Sequence, residues 1–489
     1  MNGLLPRVSW ACALAVSWMS CARADPWLVP GDAALRADIQ LLADAGILRG
    51  PVTTWPMSWP DIARDALAAD VSRLYDMTGD ELLRVKRVAS IAAAPGYAGA
   101  RYRVGGAYQP GMLREFGDQP REEGEVALRA SWLGEHLALN LQGAYVADPD
   151  DGQEFRDDGS YLGMNFGNFM LSAGYMERWW GPGWDGSLIL STNARPIPSV
   201  TLERNYTDPF KSGWLSWIGP WRASIAMGRA ESDDVPVTDV RFFAARVNFR
   251  PRPWLELGLT RTAQWCGGDR PCDWDTFTDM VLGNDNQVAE GVAAEDQPGN
   301  QMAGYDLRIR SPLRALPLVF YTQWIGEDEA GGLPSKFIGQ FGLETWGFAH
   351  RATWRLRAEY TDTACNFSRQ TPEFGCAYRN SIYPQGYAYR GRIIGDSMDN
   401  DSRRFTLAGM LTLQSGDFFS LTLRRAEINR DGGTHAISGV PLDVDNVELR
   451  YSRGWAIGKI SVGLGYEDPA TRPDASSRVN GFVIWQQGF

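Results

Sequence analysis

Past residue 95 the chain repeats one pattern, stretches in which apolar and polar side chains alternate over the length of a single strand. Val126, Leu128, Ala130 and Trp132 stand against Glu125, Ala127, Arg129 and Ser131, and Leu137, Leu139, Leu141 and Tyr145 against His136, Asn140 and Gln142. Leu255, Leu257 and Leu259 alternate with Glu256, Thr260, Thr262 and Gln264, and Trp354, Leu356, Ala358 and Tyr360 with Arg355, Arg357 and Glu359. A period of two puts each set on its own face of a β-strand. A soluble sandwich would turn the charged face to water. A transmembrane barrel would turn the apolar face to lipid and the charges to a wet lumen.

The connections separate the two. About eighteen strands begin near residues 99, 123, 136, 159, 169, 198, 219, 238, 254, 300, 315, 336, 351, 402, 417, 445, 456 and 477. Short links fall near Gly134, Asn168, Pro251, Ser311, Phe348, Ser415 and Gly454; long ones span 109–122, 147–158, 178–197, 266–299, 363–401, 429–444 and 467–476. An even strand number with short turns at one end and long loops at the other is the bacterial barrel pattern. The last strand, Ser477 to Phe489, sets Trp485, Val483 and Val479 against Gln486, Asn480 and Arg478, although Gln487 breaks its apolar run. Such an aromatic end resembles that of bacterial outer-membrane barrel proteins, whose last strand is read by the barrel assembly machinery. The expectation is an all-β chain: a large antiparallel transmembrane barrel over 96–489, preceded by a small helical domain.

That helical part is expected at 25–95. Asp32 opens a segment carrying Leu35, Ile39 and Leu42 on one face, and Gly46 closes it. Ser58-Trp59-Pro60-Asp61 has the form of a helix start with Pro just inside, and Thr78-Gly79-Asp80-Glu81 opens a third helix with Leu82, Val85, Val88 and Ile91. Preceding strand one, these helices belong with the short-turn, periplasmic end. Residues 1–24 form a secretory signal: Arg7, the apolar run Val8 to Met19, and an Ala22-Arg23-Ala24 cleavage site. Its removal takes two arginines and no acids, so the net charge moves from −11 to −13. That balance argues against nucleic acid as a partner. No later run of about 18 apolar residues could form a membrane helix, so a spanning chain must be a closed barrel. The 20 Trp, 17 Tyr, 20 Phe and 53 Gly suit short strands, turns and aromatic belts.

Four cysteines remain after the signal. Cys266 with Cys272 and Cys365 with Cys376 form two local pairs in long loops, which in an exported protein reads as two disulfides rather than a metal site. The densest candidate for chemistry is Glu177-Arg178-Trp179-Trp180-Gly181-Pro182-Gly183-Trp184-Asp185-Gly186-Ser187, running into Asn193-Ala194-Arg195-Pro196. Aromatic faces beside Arg, Asp and Asn suit carbohydrate, since rings stack on sugar C–H faces while polar groups take hydroxyls. An interfacial aromatic girdle would use the same residues. A second stretch, Tyr383 to Asp401, holds Tyr389, Arg390, Arg392, Asp399, Asn400 and Asp401. It suits glycan binding, a divalent ion or an internal salt-bridge network, and it lacks the spacing and distal Glu of a calcium loop.

These stretches, with Ser187 to Ser191, Trp214-Leu215-Ser216-Trp217-Ile218-Gly219-Pro220-Trp221, Arg261 to Trp265 and Tyr389 to Asp401, resemble the Wzi family of capsule-assembly proteins. The resemblance spans the whole mature chain. It implies a monomeric eighteen-stranded barrel in a Gram-negative outer membrane, with a periplasmic helical bundle. It also implies a lectin that holds capsular polysaccharide or exopolysaccharide at the surface without a cofactor. A porin or polysaccharide export channel is the alternative a barrel of this size allows. The candidate polysaccharide-binding residues are therefore Arg178, Trp179, Trp180, Trp184, Asp185, Tyr389, Arg390, Arg392, Asp399, Asn400 and Asp401. Catalysis is not expected. Gly395-Asp396-Ser397 would need a base within hydrogen-bond reach, and only His136, His350 and His435 exist.

Overall fold

In the computed structural model the described residues are 25–70, 78–231, 235–268, 270–282, 299–313, 315–330, 333–469 and 476–488. The expected signal at 1–24 and the terminal Phe489 lie outside them.

The alternating segments form eighteen barrel strands. They are β1 (Tyr97–Tyr108), β2 (Gly124–Leu133), β3 (Leu137–Ala147), β4 (Tyr161–Phe166), β5 (Phe169–Tyr175) and β6 (Pro198–Arg204). Then come β7 (Trp221–Arg229), β8 (Arg241–Arg252), β9 (Leu255–Trp265), β10 (Gly299–Arg310), β11 (Leu318–Ala330) and β12 (Leu333–Ala349). The rest are β13 (Ala352–Asp362), β14 (Arg403–Leu413), β15 (Phe418–Ile428), β16 (Leu442–Trp455), β17 (Gly458–Asp468) and β18 (Arg478–Gly488). Neighbours pair antiparallel, and β18 pairs back onto β1, from Gly481 opposite Tyr108 to Gly488 opposite Arg101. Closure leaves no edge strand, so the backbone groups of every strand find partners within the sheet.

Register turns the sequence alternation into two surfaces. Across β8 and β9, Val247 faces Leu259 and both are exposed on the outer wall, while Arg246 faces Thr260 and both are buried inside. Leu128, Leu141, Leu356, Leu449 and Val483 continue the apolar outer wall. The inner face departs from simple polarity. Val319, Tyr321 and Ile325 on β11, and Ile484 on β18, point inward and are wholly buried. A water-filled lumen would penalise them, but here protein fills the space.

The filling comes partly from the three expected helices, α1 (Ala33–Asp44), α2 (Trp59–Ala68) and α3 (Gly79–Ala92). Asp32 accepts from the Leu35 N–H at 3.1 Å and Ser58 from the Asp61 N–H at 3.3 Å, so two helices start where the capping residues predicted. Thr78 makes no side-chain cap. Ile39, Leu42, Ile62, Leu82 and Val85 share a core with Phe116 and Trp179, each such side chain contributing roughly 1.5–3 kcal/mol. The helices are thus completed by residues from barrel connections. Polar ties fix the seat: Arg308 donates to both Asp44 oxygens at 2.7 Å, and the Val52 and Thr53 N–H groups donate to Glu256 at 2.9–3.0 Å.

Two connections break the short-and-long alternation. At the short-turn end, 205–220 is far longer than the other links there. At the long-loop end, β11 and β12 join almost directly, Ala330 opposite Leu333. A fourth helix, α4 (Trp274–Leu282), lies in the 266–298 connection.

Candidate functional site

Two of the long loops, 176–197 and 363–402, fold back over the lumen. The connection after β5 turns into the lumen, where Trp179-Trp180 pairs antiparallel with Thr54-Trp55 from the helical part. Trp179, Trp180, Trp184 and Asp185 are all at most 2 % exposed, and Arg178 is buried as well. Most polar groups there have fixed partners, while Arg178 Nε and the Trp180 indole N–H are buried without one among the described residues. Arg178 donates to the Met176 carbonyl, Ser199 Oγ and Thr201 Oγ1 at 2.6–3.0 Å. The Trp184 backbone N–H donates to Glu359 and its indole N–H to Glu344, both at 2.9 Å. Gly183 and Gly186 leave no room for a Cβ, which would strike Gln340 in one case and Asp396 in the other.

Asp185 is the centre of this packing. It takes Arg404 Nε at 2.7 Å, Arg424 Nε at 2.8 Å and the Thr406 hydroxyl at 2.7 Å. Burial opposes its charge, yet Arg404 and Arg424 hold its carboxyl well below the usual carboxylate range. Arg36 of α1 reaches the same layer. Its guanidinium lies 4.1 Å from the Trp184 ring centroid and 4.3 Å from that of Phe116, and donates to the Pro182 and Gly183 carbonyls at 2.8 and 2.9 Å. Burial pulls its pKa down to about 9.

The 363–402 connection folds in above this layer. Tyr378, Tyr387 and Tyr383 donate to the carbonyls of Leu188, Ile189 and Cys266 at 2.6, 2.9 and 2.8 Å, tying three loops together. Asp399, Asn400 and Asp401 are buried at its base. Asp399 pairs with Arg379, and Asp401 accepts from the Gly375 N–H and the Asn400 amide. Both disulfides expected from the sequence are formed, Cys266–Cys272 and Cys365–Cys376, on these same loops.

The suggested serine chemistry meets the wrong partners. Ser397 is hydrogen-bonded to the backbone of Arg114. His435 stands 3.2 Å from Ser402 Oγ instead. Its Nδ1 faces the N–H groups of Ile437 and Ser438, which assigns the ring proton to Nε2, beside the Asn400 carbonyl. A protonated Nε2 is no base for Ser402, whose hydroxyl is already directed at the Met398 and Asn400 carbonyls.

Only part of the predicted set reaches the open surface. Arg390 and Arg392 are half-buried at the outer rim, while the adjoining Tyr389 is buried. Arg392 donates to Asp150 at 2.7 Å and to the Arg121 carbonyl, and Arg121 pairs with Glu177 at 2.8 Å. Arg195 bridges Asp151 and Asp158 at 2.7–2.9 Å, and Arg156 joins Asp151 to Glu122. The structure therefore splits the candidates: Arg392 lies in a lattice of ion pairs at the rim with half-buried Arg390 near it in sequence, and the others are buried. The sequence reading did not single out Asp150, Asp151, Arg156 or Asp158. Their only signal was an acid-rich loop at 147–158, which a solvated turn would show equally.

Beside the plug a cavity of about 340 Å³ runs along the wall of β1–β3 and β16–β18. Among its lining arginines, Arg103 is ion-paired with Asp118 and Glu125, Arg129 with Asp25, and Arg450 with Glu115 and Glu448, while Arg114 donates to backbone carbonyls.

Comparison with known proteins agrees with this architecture. Residues 96–471 match the model of the capsule assembly protein Wzi family. The chain is 32 % identical over 411 residues to an uncharacterised 55.8 kDa protein from the cps region of Klebsiella pneumoniae, covering 82 % of this chain and 77 % of that one. It superposes with a TM-score of 0.81 and 26 % identity on Wzi of Escherichia coli, over 94 % of this chain and 99 % of the other. That protein is described as an outer-membrane, carbohydrate-binding β-barrel involved in group 1 capsule assembly. An eighteen-stranded barrel with an apolar outer wall, an internal plug and a family match over most of its length, this chain belongs to the Wzi capsule-assembly family of outer-membrane proteins.

Proposed function

We propose that the chain binds capsular polysaccharide or exopolysaccharide at the cell surface and holds it there without passing it through the barrel. The observation that carries this reading is the occluded lumen. Asp185, Trp184 and Arg36 join loop, wall and helix into one buried layer where an open eighteen-stranded barrel would leave an aqueous channel. A polymer then meets only the outer face. In this reading Arg390 and Arg392 contact sugar directly, Arg392 exchanging its bond with Asp150 for hydroxyl or carboxylate groups. Arg178, Trp179, Trp180, Trp184, Asp185, Tyr389, Asp399, Asn400 and Asp401 hold the surface that presents them. Each sugar contact is weak, and retention comes from many repeat units engaging many barrels. The protein acts as a monomer, with lipid around its wall and the barrel assembly machinery as its folding partner.

The test is binding of the organism's own polysaccharide to purified protein. Arg390→Ala combined with Arg392→Ala is expected to weaken binding about tenfold, roughly 1.4 kcal/mol, with the barrel intact. Unchanged binding in that variant removes the rim assignment, and no binding by the parent protein removes the function. Planar-bilayer conductance addresses the export alternative, since steady, porin-sized steps would mean that the lumen is open.

A further inference from the structure

The one long connection at the short-turn end, 205–220, carries two of the most exposed aromatic side chains among the described residues. Trp214 is 77 % and Trp217 58 % exposed. The segment is nonetheless firmly built. Arg204 donates to the Trp221 and Asp208 carbonyls at 2.7 and 2.8 Å and lies 4.0 Å over the Trp221 ring, whose other neighbour is Phe210, stacked at 4.6 Å. From this base the chain makes a turn and a short 3-10 helix, Ser216–Ile218. It returns through Gly219, whose φ of +70° and close approach to the Arg250 carbonyl exclude a side chain.

Its position is what gives these residues meaning. Trp221 and Phe249 are direct cross-strand partners. Both stand on the outward parity of β7 and β8, the parity of exposed Ile225 and Val247, while Arg222, Asn248 and Arg250 are buried within. Phe210 stacks on Trp221, and Trp217 meets Phe249 edge-on at 6.3 Å. The segment thus lies against the outside of the barrel, continuous with its lipid-facing wall. Trp254, Phe166 and Phe169 are also exposed around the same end. Three residues before Trp214 comes exposed Lys211, one of only four lysines in the chain. Indole rings with a nearby long cation match the boundary between acyl chains and phosphate headgroups.

We propose that residues 210–218 form a foot inserted into the headgroup–acyl boundary of the phospholipid leaflet at the short-turn, periplasmic end, with Trp214 and Trp217 as anchors and Lys211 on lipid phosphate. The foot also reaches the helical part. Thr207, at its root, donates through N–H and hydroxyl to Asp61 at 3.1 and 2.7 Å, and Asp208 pairs with Arg64 at 2.9 Å. It therefore fixes α2 relative to the bilayer as well as to the barrel. This inference rests on the membrane-spanning fold and is independent of what the outer face binds.

The experiment places a nitroxide at Trp214→Cys in full-length protein reconstituted in phosphatidylethanolamine and phosphatidylglycerol vesicles. Collision with oxygen is compared with collision with a water-soluble nickel chelate. Leu259→Cys on the lipid wall and Thr434→Cys on an outer loop supply the two limits. A label at Trp214 that collides several-fold more with oxygen than the Thr434 label does, and less than the Leu259 label, is the expected result. A Trp214 label as open to the nickel chelate as Thr434 overturns the proposal and leaves a soluble periplasmic protein as the occupant. If Trp214→Cys fails to fold, Ser216→Cys on the same turn reads the same boundary with the same two outcomes.

Discussion

At the scale of single residues, buried charge organises the molecule. Asp185 holds two arginines that have no water to turn to, so Asp185→Ala is expected to lower unfolding free energy by about 3–5 kcal/mol, read from denaturant unfolding in detergent. Because its folded pKa is depressed, that stabilisation is complete above the ordinary carboxylate range and is lost only as pH falls through and below it. Asp401 behaves in the opposite sense. Burial, with neighbouring Asp431 adding to it, pushes its carboxyl up to about 6, so the native loop is favoured while Asp401 keeps its proton and loses ground as pH rises through 6. His435, kept neutral by burial, contributes with the reverse slope below its ordinary pKa near 6.5. The two are told apart by mutation: Asp401→Asn is expected to make the 363–402 connection more protease-resistant at pH 7.5 than the parent, with the difference shrinking toward pH 5.

At the scale of elements, the loops matter as braces. The Cys365–Cys376 bond closes a short loop that carries exposed Phe374. Replacing both cysteines with serine is expected to cost about 2–3 kcal/mol of local stability and to open the loop to proteolysis, while heat-modifiable barrel mobility on gels stays unchanged. The helical part was legible as three helices because capping residues and 3.6-residue periodicity are local signals. Asp32 and Ser58 cap the helices they were expected to cap. That α1 would enter the barrel layer was not legible, since Arg36 looks like any surface arginine until Phe116 and Trp184 are brought around it.

At the scale of the whole molecule, the plug and the wall form one object. Removing residues 25–95 takes away Arg36, Asp44 and the Thr54-Trp55 strand together, leaving Glu256, Arg308 and Trp179 without their partners. That deletion is expected to convert a barrel with little conductance into one with large, unstable steps in planar bilayers. Loss of surface polymer should accompany it, because the outer rim stands on the same buried layer. A deletion that leaves conductance unchanged would place the seal in the long loops alone.

The strand number, the inside and outside of the wall, the two disulfides and the helical start of the chain were all determined by sequence, because each rests on neighbours a few residues apart or on composition alone. The candidate site was decided by tertiary structure. Trp179, Trp180 and Trp184 have the composition of a sugar-binding face, and the same residues suit the interior of a plug. What separates the two is whether Glu344, Glu359, Arg404 and Arg424 come to meet the loop. Trp184 and Glu344 lie 160 residues apart, and Asp185 and Arg424 lie 239 apart. Such contacts exist only once the barrel has closed and its loops have folded back, because closure alone brings those distant strands around a common lumen. The chain's alternation made it a membrane barrel; the ion pairs formed across that lumen made it a closed one.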